Sequence, residues 1–413
     1  MTNKYVITIS YGDYTLGSGG TDKFILSQQK ILNNAGYRVL AILPFRDHSL
    51  WYVLNDGKFD GIYSNKRLIS YLCEYDQCSL SAIFIHHLKD VNLDILEGIL
   101  DYFDVPIFYY LHDYYTICPI SGLVREDGTF CGNGFPSENK CVCCSYCNEA
   151  IELSKKVQLL IQKYSNRITF IIPSEAAKEV WLRDYPEYSD KVKVIYHQKM
   201  LGQYTSNSVR LQDSEPIRVA FVGYQKPLKG WKQFKDAAEK ANTLGANEQF
   251  YQFGWGQEHF PYIEQVDVDF KKSITAMTDA LRLKKIHVAV LWSLCPETYA
   301  YTYYEVLAAN CFVITNESSG NICDQVNSRK NGIVVSGLSE TICDEKGLRK
   351  LVNDFRLDGH IAPNELIENE EFLSLIPNTV WQPQTVKKVV DYSSVLTVIK
   401  KSKRMIKDWI KRV

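Results

Sequence analysis

Short apolar runs alternate with stretches of helical periodicity along most of the chain. Tyr5-Val6-Ile7-Thr8-Ile9 has the pattern of a buried strand and leads into Leu16-Gly17-Ser18-Gly19-Gly20-Thr21-Asp22. Over 23–33, Phe24, Leu26, Ile31 and Leu32 fall broadly on one helical face. Gly36 ends that helix, and 38–43 is the next strand. Together they form a βαβ unit with a glycine-rich first crossover. Strands follow at 81–85 and 105–111, then a helix over 149–165, a strand at 168–174, a helix over 176–182 and a strand at 192–197. The stretch 198–216 is polar and irregular and reads as an interdomain connection. The pattern then restarts. A strand at 217–222 is followed by a glycine- and lysine-bearing loop and a helix over 232–242. Strands at 250–253, 287–292, 311–315 and 332–335 come next, with helices ending near Asn310 and over 340–357 and 364–376. The expected fold class is α/β with two Rossmann-like domains, 1–200 and 217–385, a linker at 201–216 and a helix over 386–413.

The loops at the strand ends carry the candidate chemistry. Gly19 and Gly20 permit close backbone approach to a ligand, and the helix start behind Thr21 and Asp22 favours an anion. The stretch is not a nicotinamide fingerprint, because G-x-G-x-x-G is not met. His112-Asp113 closes the strand at 105–111. Two readings are open: His112 points into a ligand crevice, or Asp113 caps the next helix. In the second half, Gly223-Tyr224-Gln225-Lys226-Pro227-Leu228-Lys229-Gly230 opens a helix. Cys295-Pro296-Glu297-Thr298-Tyr299-Ala300-Tyr301 follows a strand and turns into another helix. Glu297 and Glu305 stand about two turns apart if one helix covers both.

This ordered set resembles the family-4 glycosyltransferases, which have two Rossmann domains facing a cleft (the GT-B fold). The Glu-x7-Glu signature is matched at Pro296, Glu297, Thr298, Tyr299, Glu305, Leu307 and Ala308. Gly19-Gly20 looks like the family's acceptor-side loop, and Gly223, Lys229 and Gly230 match its diphosphate loop. Ser319-Gly320 stands where members often have two glycines. The sequence departs from the family at Ala300, usually Gly, and at Tyr224, usually Arg. The resemblance implies a retaining transferase that moves a sugar from a nucleotide-diphosphate sugar to a hydroxyl of a glycan, glycolipid or other acceptor, in cell-surface polysaccharide or glycoconjugate assembly. It implies that Lys229 and the Thr298–Tyr301 and Ser319-Gly320 backbones hold the diphosphate without a catalytic metal. By the same resemblance Glu305 holds the ribose, while Glu297 and His112 lie near the reacting sugar. Lys226 is the candidate replacement for the arginine missing at Tyr224. Gly19, Gly20, Thr21 and Asp22 would line the acceptor side. The rival readings are a nucleotide-sugar epimerase of the same fold and a non-catalytic nucleotide-sugar-binding scaffold.

Composition changes this picture at two places. The 413 residues are 46% hydrophobic and 23% charged, with a net charge of −1, so no global field argues for nucleic acid. Residues 400–413, however, hold seven Lys/Arg against one Asp. Val395, Val398, Ile399, Ile406, Trp409, Ile410 and Val413 recur at helical spacing from just before that stretch to its end. Such a basic amphipathic helix either docks on the fold or lies on an anionic membrane, near a lipid-linked acceptor. Six of the twelve cysteines fall at 118–147, as an insertion in the first domain. Cys131, Cys141, Cys144 and Cys147 suit a structural zinc, and Cys118 or Cys143 could replace one of them. Free thiols, a disulfide or an iron–sulfur site are the alternatives. The first ten residues are too short and polar for a signal peptide, so a cytoplasmic protein, peripheral on the inner membrane face at most, is expected.

Overall fold

A computed structural model of the chain describes residues 4–17, 19–45, 49–74, 79–125, 130–132, 134–142, 144–201, 204–205, 210–269, 273–357, 361–362 and 365–377. The expected helix over 386–413 and Cys143 lie outside these described residues. The first elements are β1 (Lys4–Ile9), α1 (Gly20–Asn34), β2 (Tyr37–Phe45), β3 (Leu50–Asn55), β4 (Lys58–Ser64), α2 (Asn65–Glu74), β5 (Ser79–Ile85), α3 (Leu93–Tyr102) and β6 (Ile107–Tyr110). Next come α4 (Cys147–Lys163), β7 (Ile168–Ile172), α5 (Glu175–Leu182), β8 (Val192–Val194), β9 (Gln198–Leu201) and β10 (Tyr204–Thr205). The rest are β11 (Ile217–Val222), α6 (Trp231–Leu244), β12 (Glu248–Phe253), β13 (Ile263–Val266), α7 (Ala276–Leu283), β14 (Val288–Val290), α8 (Tyr301–Ala308), β15 (Phe312–Thr315), α9 (Asn321–Arg329), β16 (Gly332–Val334), α10 (Leu338–Cys343), α11 (Glu345–Leu357), β17 (Ile361–Ala362) and β18 (Glu365–Glu368).

The chain divides into two compact units, one of 1–17, 28–108 and 373–413, the other of 18–27 and 109–372. In the first, β1 lies between β2 and β5, parallel to both, in the order β4-β3-β2-β1-β5. Val6, Ile7 and Ile9 on β1 and Val39 to Leu43 on β2 are buried, the near-continuous apolar run expected of a parallel strand covered on both faces. β3 and β4 extend this sheet as an antiparallel hairpin that the periodicity reading passed over. Its signal was present, because Asp56-Gly57 is a two-residue hairpin turn between apolar runs. The Asp56 carboxylate also accepts the Val39 amide at 2.7 Å.

The second unit holds a six-stranded, all-parallel sheet in the order β13-β12-β11-β14-β15-β16. Alternation along β11 divides its two cores. Ile217, Val219 and Phe221 join Trp231, Phe234 and Ala237 of α6 on one face. Ala220 and Val222 join Leu281, Tyr303 and Tyr304 on the other. β7 and β8 pair parallel in the same unit. Two expectations fail here. The stretch 198–216 is not wholly irregular, since β9 pairs with β18 and β10 with β17, both antiparallel. The helix expected over 364–376 is instead β18 and a 3₁₀ turn, Glu371–Leu375. Ladder bonds from β9 hold Glu365–Glu368 extended, and Asn369 donates to the Tyr196 carbonyl at 2.8 Å, which fixes the bend. Among the described residues, no helix is long and apolar enough to cross a membrane.

Candidate functional site

The parallel strands β14 and β15 deliver two loops side by side. After β14 the chain runs through Ser293 and Glu297 before α8 begins at Tyr301. After β15 it makes a 3₁₀ turn, Glu317–Ser319, and enters α9 through Gly320. A β-bridge joins Glu297 to Gly320, and the Asn321 amide donates to the Glu297 carbonyl at 3.0 Å. Gly320 has φ +59°, and a Cβ there would meet the Glu297 nitrogen at 2.6 Å. Only glycine fits both the conformation and the contact. Glu297 and Glu305 therefore do not share a helix. Glu297 is held extended by the neighbouring loop, and only Glu305 lies on α8.

Each glutamate carries a lysine. Lys229 Nζ donates to Glu297 Oε1 at 2.6 Å, and Ser293 Oγ donates to the same oxygen at 2.7 Å. The Lys229 pKa is raised. Desolvation opposes its charge, but the Glu297 carboxylate, by charge and by hydrogen bond, outweighs that effect. Lys229 is placed by a 3₁₀ turn, Pro227–Lys229, that ends on Gly230 at the start of α6. Gly230 has φ +79°, and a Cβ would lie 2.2 Å from the Trp292 carbonyl oxygen, so the Lys229 loop is seated directly on the strand-end loop. Gly223 precedes it, with its carbonyl accepting from Gln252 at 2.9 Å. Lys226 is exposed, and its ammonium lies over the Tyr224 ring at 5.7 Å.

Glu305 pairs with Lys23 of α1 at 2.8 Å, and both side chains are nearly buried, 7% and 13% exposed. Lys23 is the principal site residue that sequence reasoning missed, since it falls just past the glycine loop in no motif. Gly19 donates its amide to Asp22 Oδ2 at 2.9 Å, so Asp22 caps the α1 turn. Thr21 is half-buried on that turn, and the place of a Gly20 side chain lies 3.5 Å from the Tyr301 ring.

His112 stands among rings: Phe24 at 5.2 Å, His197 at 5.3 Å and Tyr110 stacked at 5.8 Å between centroids. Its carbonyl accepts from Thr298 Oγ1 at 2.5 Å, and the Thr298 carbonyl accepts from Ser174 Oγ at 2.7 Å. Thr298 is thereby a buried tie. Tyr299 is buried too, stacked on Tyr304 at 4.5 Å. Ala300 caps α8 in an extended conformation, φ −104°, that needs no glycine. The Ser319 hydroxyl is spent on the Ser293 carbonyl at 3.2 Å. His197, not singled out by sequence, is buried between Phe24 at 4.2 Å and Tyr299 at 4.5 Å. Its Nδ1 has no hydrogen-bond partner among the described residues. Burial, with the charge of His112 second, holds its pKa well below the usual histidine range, so it is a neutral imidazole.

In the cysteine loop, Cys118, Cys131, Cys141 and Cys144 line one pocket with Leu123 and Val124, whereas Cys147 does not line it. Burial pushes the Cys118 thiol up to about 11. Among the described residues, no three His, Cys, Asp or Glu side chains converge as a metal-ligand set, and these thiols are free.

No protein-family model and no curated protein matches the chain. Solved structures share its fold. Sucrose-phosphate synthase from Thermosynechococcus elongatus is 15% identical, with 86% of this chain and 94% of that one covered and a TM-score of 0.56. Anabaena HepE, in complex with UDP and glucose, is 11% identical over 86% and 94%, with a TM-score of 0.50. The pneumococcal O-GlcNAc transferase GtfA, in complex with UDP and GlcNAc, is 9% identical over 86% and 96%, also at 0.50. At such identities the likeness shows the fold, which is the two-Rossmann GT-B fold.

Proposed function

We propose that the protein is a glycosyltransferase that moves a sugar from a nucleoside-diphosphate sugar to a hydroxyl acceptor, with retention of anomeric configuration. The observation that carries this reading is the junction of the two strand-end loops, where Glu297, Lys229 and the Gly320 turn meet on one bridge. A departing diphosphate needs preorganised positive charge and backbone amides. The raised pKa of Lys229 keeps its ammonium charged throughout the neutral range, and its partner Glu297 is bridged to Gly320, where α9 opens. In this reading Lys229 exchanges Glu297 for the phosphate oxygens, leaving Glu297 beside the sugar ring. Glu305 takes the ribose, and His112 lies on the sugar side. The acceptor is taken to be a hydroxyl of a glycan, glycolipid or other glycoconjugate. UDP is the first nucleotide to test, because two proteins of the same fold bind it.

A thermal-shift panel of UDP, GDP, ADP, CMP and dTDP sugars tests the donor class. One class is expected to raise the melting temperature, by roughly 2.7 kcal/mol of stabilisation at a hundredfold excess over Kd. Lys229→Met should abolish that rise, and a flat panel counts against the reading. We extend the proposal to a structural zinc on Cys131, Cys141, Cys144 and Cys147, whose binding would have to draw together thiols that do not converge in the structure as described. EDTA alone should then lower the melting temperature, and unchanged melting argues for free thiols.

A further inference from the structure

Lys23 has no role in the account so far, yet it is the better buried of the two site lysines. Its ammonium touches Glu305 Oε1 at 2.8 Å and lies 4.6 Å from the centroid of the Tyr301 ring, the first residue of α8. The turn beneath it is fixed twice, by the Gly19 amide on Asp22 and by the Lys23 amide on the Gly19 carbonyl at 3.0 Å. At 13% exposure the side chain is held in one place by a carboxylate and a ring face. Glu305, at 7%, would be an uncompensated buried charge without it.

Only one carboxylate oxygen of Glu305 is occupied. Oε1 accepts from Lys23, whereas Oε2 takes no hydrogen bond among the described residues and is not among the fully buried, unpartnered atoms. An ionised carboxylate only accepts, and a vicinal diol offers two O–H donors. The Lys23 contact fixes one oxygen of Glu305 and leaves the other without a hydrogen-bond partner among the described residues. We infer that Lys23 is a positioning residue for ribose recognition. By fixing the Glu305 carboxylate it makes the site prefer a ribonucleoside diphosphate to its 2′-deoxy counterpart. The inference rests on the nucleotide-sugar reading above and assigns sugar selectivity to a residue outside its motifs.

The test is a calorimetric titration of the full chain with UDP and 2′-deoxy-UDP, and with GDP and 2′-deoxy-GDP as a second pair. The wild type should prefer the ribonucleotide about tenfold or more, as expected for a hydrogen bond to a charged acceptor. Lys23→Met should reduce that ratio to about twofold, chiefly by weakening the ribonucleotide. Lys23→Arg should restore it. If Lys23→Met does not fold, Lys23→Gln against Lys23→Arg gives the same comparison. An unchanged ratio in the neutral variant overturns the inference. Tighter ribonucleotide binding in that variant also overturns it, because Lys23 would then be a plug. A wild type that binds both sugars equally overturns the inference and leaves the nucleotide reading standing. A wild type that binds no nucleotide overturns both.

Discussion

Lys229 and Glu297 are 68 positions apart in sequence and meet at 2.6 Å. No sequence periodicity announces such a pair, because it is made by two strand-end loops of one parallel sheet. Each residue was legible alone, Lys229 as a cation beside a glycine at a helix start and Glu297 as a polar residue after a strand. That they neutralise one another was not legible, nor that Lys23 does the same for Glu305. Thr298 and Ser319 read as residues whose backbones hold phosphate, and a one-dimensional pattern could not reveal that their hydroxyls are spent inside the fold. Lys229 has a folded-state pKa above its ordinary value, so its stabilising contribution is complete below the unfolded pKa and is lost only as pH rises through the folded one. The pair is therefore intact across the neutral range. At Gly320 a Cβ meets both a positive φ and the Glu297 nitrogen at 2.6 Å. Gly320→Ala should destabilise the chain by about 2 kcal/mol or more in urea unfolding and weaken nucleotide binding with it. Wild-type stability and binding in that variant would contradict the bridge described here.

Among the elements, β12 carries a charge problem. Glu248, its first residue, has both carboxylate oxygens buried with no hydrogen-bond partner among the described residues. Burial, then the charge of Glu345, push its pKa up to about 7, with Arg349 acting the other way. Its folded pKa lies above the ordinary 4.5. The folded state therefore holds the proton more tightly, and stability falls as pH rises between those two values, then levels off. Glu248→Gln should accordingly raise stability at pH 8 by on the order of 2 kcal/mol and leave it nearly unchanged at pH 4. Equal effects at both pH values would show that the carboxylate is not perturbed. Other elements show where pattern reading works. The strand 217–222 was legible to the residue, because a short run apolar at every position but Arg218, followed by Gly223, reads as a strand covered on both faces. The β3–β4 hairpin carried its Asp-Gly signal unread. The strand at Glu365–Glu368 had no local signal strong enough, because its state is set by the pairing with β9.

At the scale of the whole molecule, the alternation of apolar runs and helical periodicity was enough to give two mainly parallel α/β sheets, and the solved structures of the same fold agree. Chain identity to those structures is 15% or less, so the fold was carried by pattern rather than by residue identity. What the pattern could not give is which loop side chains face a ligand and which are consumed by packing. Glycosyl transfer from a nucleotide sugar with retention, as proposed, leaves its signature in the stereochemistry of the released sugar. The full chain would be incubated with UDP-glucose and, separately, UDP-N-acetylglucosamine, with water as the acceptor, and the anomeric proton of the released sugar followed by NMR before mutarotation. Nucleotide release with the α-anomer formed first is expected, and its loss in Lys229→Met. A β-anomer formed first would contradict retention.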